Sequence, residues 1–177
     1  VVDNSISIPN NVKLVGAGKG TILKMGNATA AFRPVIVNSD TSTGTNIQIS
    51  DLSVDGNRAN QSFNGLHGIQ LTGMGGGTGS SARAGAKIDN VTILNTFFDG
   101  LRINNSSNGT YSNITSQGST DSGVSVIGSS ANDVLSNIVS QGNNDGFTIS
   151  GSNITITAST AQGNARWGYY IDGNYTT

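Results

Sequence analysis

The sequence predicts an all-β protein wound as a parallel β-helix, a single domain over residues 1–177, and three observations carry that prediction. The first is a repeat. Gly-Leu-Arg-Ile from Gly100, Gly-Val-Ser-Val from Gly123, Gly-Phe-Thr-Ile from Gly146 and Gly-Tyr-Tyr-Ile from Gly168 begin 23, 23 and 22 residues apart. The second lies in the other half of each unit, where Asn108, Asn132 and Asn153 are each followed nine residues later by Gln-Gly, at Gln117, Gln141 and Gln162. The third is what the repeat contains: short apolar–polar alternations with no helical period. A unit of about 22–24 residues built this way cannot bury its own apolar side, so it must stack on copies of itself.

Composition agrees. Only 34% of the chain is hydrophobic, and Gly, Ser, Asn and Thr make up about half of it. A layered globule would lack core material, whereas a narrow solenoid needs few apolar residues per turn. The net charge of −1 excludes the basic field that nucleic acid requires, and no run is long enough to span a membrane. All ten acids are Asp, a residue suited both to turns and to Ca²⁺.

In chain order, residues 5–25 hold three short strands broken by Pro-Asn-Asn and Gly-Ala-Gly-Lys-Gly turns. Arg33 to Asn38 supplies one more. Residues 46–57, 68–71 and 89–95 are further strands. The unit from Gly68 to Asp99 is longer than its successors, and the excess lies in the Gly-rich stretch 72–85, read as a loop projecting from a corner. Gly16-Ala-Gly-Lys-Gly-Thr and Gly77-Thr-Gly-Ser-Ser-Ala look like phosphate-binding loops, but no helix follows either, so both are turns.

Alternation places side chains. Ile69/Leu71, Leu101/Ile103, Val124/Val126, Phe147/Ile149 and Tyr169/Ile171 point inward as stacked columns. Asn90, Asn113 and Asn137 align at a bend, where stacked amides can satisfy buried polar groups. Outward runs the exposed column Gln70, Arg102, Ser125, Thr148, Tyr170. Just before the strand-opening glycines lie His67, Asp99, Asp121, Asp145 and Arg166 with Trp167. These two strips form one polar stripe with an aromatic end, the best candidate site in the chain. The alternative reading is structural: Asp before Gly is ordinary turn chemistry, and Arg102 beside Asp99 makes a surface ion pair.

The phrases Ser5-Ile-Ser-Ile to Met25, Asn46-Ile-Gln-Ile-Ser-Asp-Leu-Ser-Val-Asp-Gly-Asn57 and Asp89-Asn-Val-Thr-Ile-Leu-Asn95 resemble the pectate-lyase-like superfamily, polysaccharide lyases and phage tailspikes among them. The resemblance implies a right-handed, single-stranded β-helix. It also implies an extracellular, cell-surface or virion-surface protein that binds polysaccharide and, in some members, cleaves it. No catalytic motif of the polygalacturonases or alginate epimerases is present as a set, so no family catalytic residue carries over. In a lyase, Asp99 and Asp121 would hold Ca²⁺, with Arg102 or His67 as base. In a hydrolase, Asp121 and Asp145 would be the acid–base pair. In either, Gln70, Asp99, Arg166, Trp167 and Tyr170 would bind sugar. The competing class is a non-catalytic spike, adhesin or filament subunit. No helical cap precedes the first strand, and the last unit stops ten residues in. This predicts a longer parent chain or a homo-oligomer, a trimer or a filament.

Overall fold

The computed structural model describes residues 1–27, 33–61, 66–77 and 81–172. Two parallel sheets run its length. The first stacks β1 (Ile6–Ile8), β4 (Ile36–Asn38), β6 (Ile69–Thr72), β8 (Leu101–Asn104), β10 (Ser122–Ile127), β12 (Asp145–Ile149) and β15 (Trp167–Ile171) in that order. The second is centred on the eight-residue strands β5 (Gln48–Asp55), β7 (Lys87–Leu94), β9 (Thr110–Gln117) and β11 (Val134–Gln141). At one end β2 (Lys13–Val15) and β3 (Ile22–Lys24) both pair with β5, and at the other β13 (Thr155–Thr157) and β14 (Thr160–Gln162) both pair with β11. Each turn of chain adds one strand to each sheet, which is a single-stranded parallel β-helix. No helix among the described residues is long and apolar enough to cross a membrane.

The register follows the repeat. Leu101, Val124, Phe147 and Tyr169 are partners on successive rungs, as are Ile103, Val126, Ile149 and Ile171. Of these, all but those on β15 are buried, and Tyr169 continues its column by stacking on Phe147, ring centroids 4.7 Å apart and planes 3° from parallel. Tyr169 and Ile171 remain exposed because no described strand covers β15.

Gly100 and Gly123, in the first sheet, answer to space. A Cβ at Gly100 would come 2.0 Å from Ser116 Oγ, and one at Gly123 would come 1.9 Å from Ser140 Oγ. Those two serines are buried and donate across the narrow interior to the carbonyls of Gly123 and Gly146 (2.8 and 2.7 Å). The two sheets therefore meet at a glycine–serine seam, which keeps the cross-section small and satisfies the serine hydroxyls without water.

The corners answer to backbone conformation. Each long strand of the second sheet bends at its fourth residue, where Asp51, Asn90, Asn113 and Asn137 adopt left-handed backbone (φ 57°, 52°, 54° and 52°). Asn and Asp tolerate this region better than other non-glycine residues. The asparagine stack does form: Asn137 Nδ2 donates to Asn113 Oδ1 at 3.3 Å, while Asn113 donates to Asp89 and Asn90 to Asp51. Contrary to the sequence expectation, the stack satisfies no buried groups; most of these bonds lie on the outer surface, because the left-handed bend turns the side chains outward. A parallel amide ladder runs at the next corner, where Gln162 donates to Gln141 (2.7 Å) and Gln141 to Gln117 (3.0 Å).

The Gly-rich stretch 72–85 departs from the expected projecting loop at its start. Met74 is buried and bridges Gly44, and its carbonyl accepts the Ser107 N–H (2.7 Å), so residues 72–75 belong to the coil. The Gly79 region, residues 78–80, lies outside the described residues. One interior feature has no counterpart in the sequence reading. Asp133 is fully buried, and its Oδ1 accepts the Gly109 N–H at 2.7 Å. Its Oδ2 and the buried Tyr111 hydroxyl have no hydrogen-bond partner, and burial pushes the carboxyl up to about 7.

Candidate functional site

The outward face of the first sheet carries an open cleft of about 320 Å³ spanning β8 to β15, within the size of small-ligand clefts. Asp99, Arg102, Asp121, Asp145, Arg166 and Tyr170 line it, so six of the nine residues singled out in sequence come together. Phe98, Ser122, Ser125, Ile127 and Thr148 complete the lining.

Strand register corrects the predicted stripe in one respect. Ser122, not Asp121, pairs with Asp145, and Asp145 with Trp167. Counting back from Leu101↔Val124 and Ile69↔Leu101 puts Asp99 and His67 in that same column. Asp121 stands one residue earlier, in line with Phe98 and Arg166. Asp121 stands two residues before Gly123, whereas Asp99 and Asp145 stand one before their glycines, which shifts its carboxylate by one position.

That shift separates two kinds of aspartate. Asp99 and Asp145 are buried and committed. Asp99 Oδ1 accepts the Ser122 N–H at 3.2 Å and its Oδ2 accepts from Arg102 Nη1 at 3.0 Å. Asp145 Oδ1 accepts the Trp167 N–H at 3.2 Å and Arg166 Nε at 2.9 Å, and Arg166 Nη2 closes a second bond on Oδ2. Each therefore holds the backbone of the next rung, and each is matched by an arginine from the cleft wall. Asp121 is half-buried, and its carboxylate makes no hydrogen bond among the described residues; the rung-to-rung bonds at this residue use its backbone carbonyl instead. Burial, then the neighbouring Asp145, raises its pKa against the pull of Arg166 and Arg102. Burial raises Asp99 to about 6 despite Arg102, whereas the Arg166 hydrogen bonds lower Asp145.

His67, the other candidate base, does not line the cleft. It is buried edge-on against Phe98 (5.2 Å), and its Nδ1 lies 3.4 Å from Asp99 Oδ2 without a hydrogen bond. Burial, then Arg102, lowers its pKa to about 3, so it is neutral and behind the cleft wall. Gln70 sits one rung before Arg102 and donates to Thr72 Oγ1 at 3.4 Å, outside the cleft. Trp167 is exposed on β15 beside it. Ser125 faces outward as expected but is 3% exposed, covered by its neighbours on the adjoining rungs.

Phe98 was missed in sequence, yet it stands two residues before Gly100, as Asp121 does before Gly123. Aligning the units on their glycines would have found it. With Phe97, Thr120 and Asp121 it lines a second hollow, so Phe98 and Asp121 line both.

No family model matches the chain, and no curated protein matches it in sequence. Solved structures do match in shape. The A-module of the mannuronan C-5 epimerase AlgE4 of Azotobacter vinelandii is 17% identical with a TM-score of 0.56, covering 96% of this chain and 61% of that module. The A-module of AlgE6 from the same organism is 17% identical with a TM-score of 0.52, covering 97% and 61%. Pre-mature gene product 12 of bacteriophage phi29 is 20% identical with a TM-score of 0.64, covering 98% of this chain and 29% of the phage chain. The fold is a right-handed parallel β-helix, shared with these structures. This β-helix thus spans about three-fifths of each epimerase module and under a third of the phage protein.

The residues do not fit the Ca²⁺ that a lyase-like site implies. Both Asp99 oxygens already accept hydrogen bonds, and the Arg102 guanidinium lies where a cation would sit. Among the described residues no three acidic or histidine side chains converge to hold a metal, against the six to eight oxygens Ca²⁺ takes.

Proposed function

We propose that this β-helix binds a polysaccharide along the cleft of its first sheet, on a cell or virion surface or in the extracellular space. One observation carries the reading. A single face brings Phe98, Arg102, Asp121, Arg166 and Tyr170, drawn from three rungs, around one open cleft. Aromatic faces for sugar rings and charged hydrogen-bonding groups for hydroxyls are what carbohydrate recognition uses. An elongated ligand matches a site whose parts recur about every 4.8 Å along the axis. The epimerases that share the fold are named for mannuronan, itself a polysaccharide.

A second reading, cleavage by hydrolysis, is favoured by the contrast between Asp121 and Asp145. A carboxyl with a raised pKa beside an ionised one is the pairing that supplies an acid and a base to a glycosidic bond. Asp121 is the acid in this scheme, and Asp145 is the base once it exchanges its Arg166 bonds for the attacking water.

A glycan panel probed with the purified chain tests both. Tyr170→Ala and Asp121→Asn should each weaken binding to the best ligand about tenfold with little change in melting temperature. Arg102→Ala is a poor control, because it strands the buried Asp99. For cleavage, new reducing ends should appear with the parent protein and vanish in Asp121→Asn. A ligand bound equally well by the parent and both variants would place recognition elsewhere. Binding without reducing ends would leave a non-catalytic spike or adhesin.

A further inference from the structure

We infer that the cleft is built for an uncharged glycan and turns polyuronates away, an inference that rests on the binding reading above. A polyuronate carries one carboxylate per ring and needs a cation free to meet it. Among the described residues the cleft offers two cations, and each is already paired with a buried aspartate. Arg102 is bonded to Asp99, and Arg166 grips Asp145 through two of its nitrogens. Both partners are buried, at 1% exposure. Drawing either arginine onto a ligand would leave a carboxylate inside the wall without its counter-charge, a larger loss than the new ion pair returns.

The remaining charge has the wrong sign for a uronate. Three aspartates face two arginines across the cleft lining, a net charge of −1, and His67 behind the wall is neutral. Of the five charged side chains lining the cleft, Asp121 alone makes no hydrogen bond among the described residues, and it lines both hollows. A carboxylate there accepts bonds from sugar hydroxyls and repels a second carboxylate. Phe98 and Tyr170 supply apolar faces that favour the C–H side of a neutral ring. Free arginines and an unpaired acid would have argued for a polyanion and its positioning base; committed arginines and an unpaired acid argue for hydroxyls.

The test is calorimetric titration at low ionic strength with two sets of oligosaccharides of equal length. One set is neutral (gluco-, galacto-, manno-, xylo- and rhamno-oligosaccharides) and the other is oligogalacturonate and oligomannuronate. The expected result is that a neutral chain binds while both uronates bind at least tenfold more weakly or not at all. Asp121→Asn, which removes the like charge and keeps the shape, should strengthen uronate binding several-fold and narrow that gap. An oligouronate that binds as tightly as every neutral chain overturns the inference and leaves polysaccharide binding standing. Failure of the folded protein to bind any member of either set overturns both.

Discussion

Two polar columns climb the outside of this solenoid at the same spacing, and they obey different rules. At the corners of the second sheet the same residue returns on successive rungs. Gln117, Gln141 and Gln162 form one amide ladder, and Asn113 and Asn137 form another. On the cleft face the aligned positions read Gln70, Arg102, Ser125, Thr148 and Tyr170, with no two alike. Where the backbone imposes a left-handed bend or an amide must find an amide above it, the chain has one good answer and repeats it. Where a flat strand face meets solvent, the backbone asks for nothing. Variety along a column is therefore the mark of a surface specified by something outside the molecule.

The sharpest way to break this comparison is to set the interior against the cleft. Val126 is fully buried, and Val126→Asp places an unpaired carboxylate among Ile103, Ile149 and their neighbours. A loss of more than about 3 kcal/mol is expected in chemical denaturation. Tyr170→Ala, on the variable column, should leave the denaturation midpoint nearly where it was. Comparable losses in the two would show that the cleft column is also structural.

Next in size is the buried Asp133. Its carboxyl titrates at about 7 in the fold against 3.8 for the free side chain, so the native state holds a proton that the unfolded chain has released. Stability from this group is fully present below pH 3.8 and is lost as pH rises through about 7. Asp99, at about 6, acts in the same direction. Asp133→Asn keeps the Gly109 contact and offers an N–H toward the Tyr111 hydroxyl. It should flatten most of the stability decline between pH 5 and pH 8 measured by urea denaturation. An unchanged slope would assign the decline to Asp99 or to other groups.

The smallest effect concerns the bend itself. Asn137 and Ala158 occupy the same left-handed position on successive rungs (φ 52° and 47°), but alanine resists this backbone. Asn137→Ala should cost about 1 kcal/mol, and Ala158→Gly should gain somewhat less than about 1 kcal/mol. Glycan binding should be unchanged in both. A cost for Asn137→Ala much above that range would mean that the amide ladder, not the bend, fixes the corner.

The fold was legible because a solenoid writes its periodicity into the chain. The glycine starts, the inward pairs such as Val124/Val126 and the asparagine columns could all be aligned by eye. Their physical reasons were less legible: the glycines make room for Ser116 and Ser140 across the interior, a relation between residues on opposite sheets. The cleft was legible in outline, since outward positions on stacked strands must be neighbours. Its detail was not. Asp121 stands two residues before its glycine where Asp99 and Asp145 stand one, which takes it out of their column, and partnership with an arginine or a backbone N–H depends on rotamers that no spacing reveals. His67 was misjudged for a related reason, because depth in a narrow coil is set by the loops folded over it.

The register has a consequence for how such a molecule can change length. Ser122 on β10 lies beside Asp145 on β12, so the 23 residues from Gly123 to Asp145 begin and end at equivalent points of the coil. Excising them would rejoin Ser122 to Gly146 with each core column and the glutamine ladder still meeting its own kind. The cleft would become shorter by one rung, about 4.8 Å. Removing five or ten residues from the same strands would throw every one of those columns out of line. Length in this architecture is therefore quantised, and a longer or shorter ligand is accommodated by whole turns, as a chain is fitted by adding or removing links.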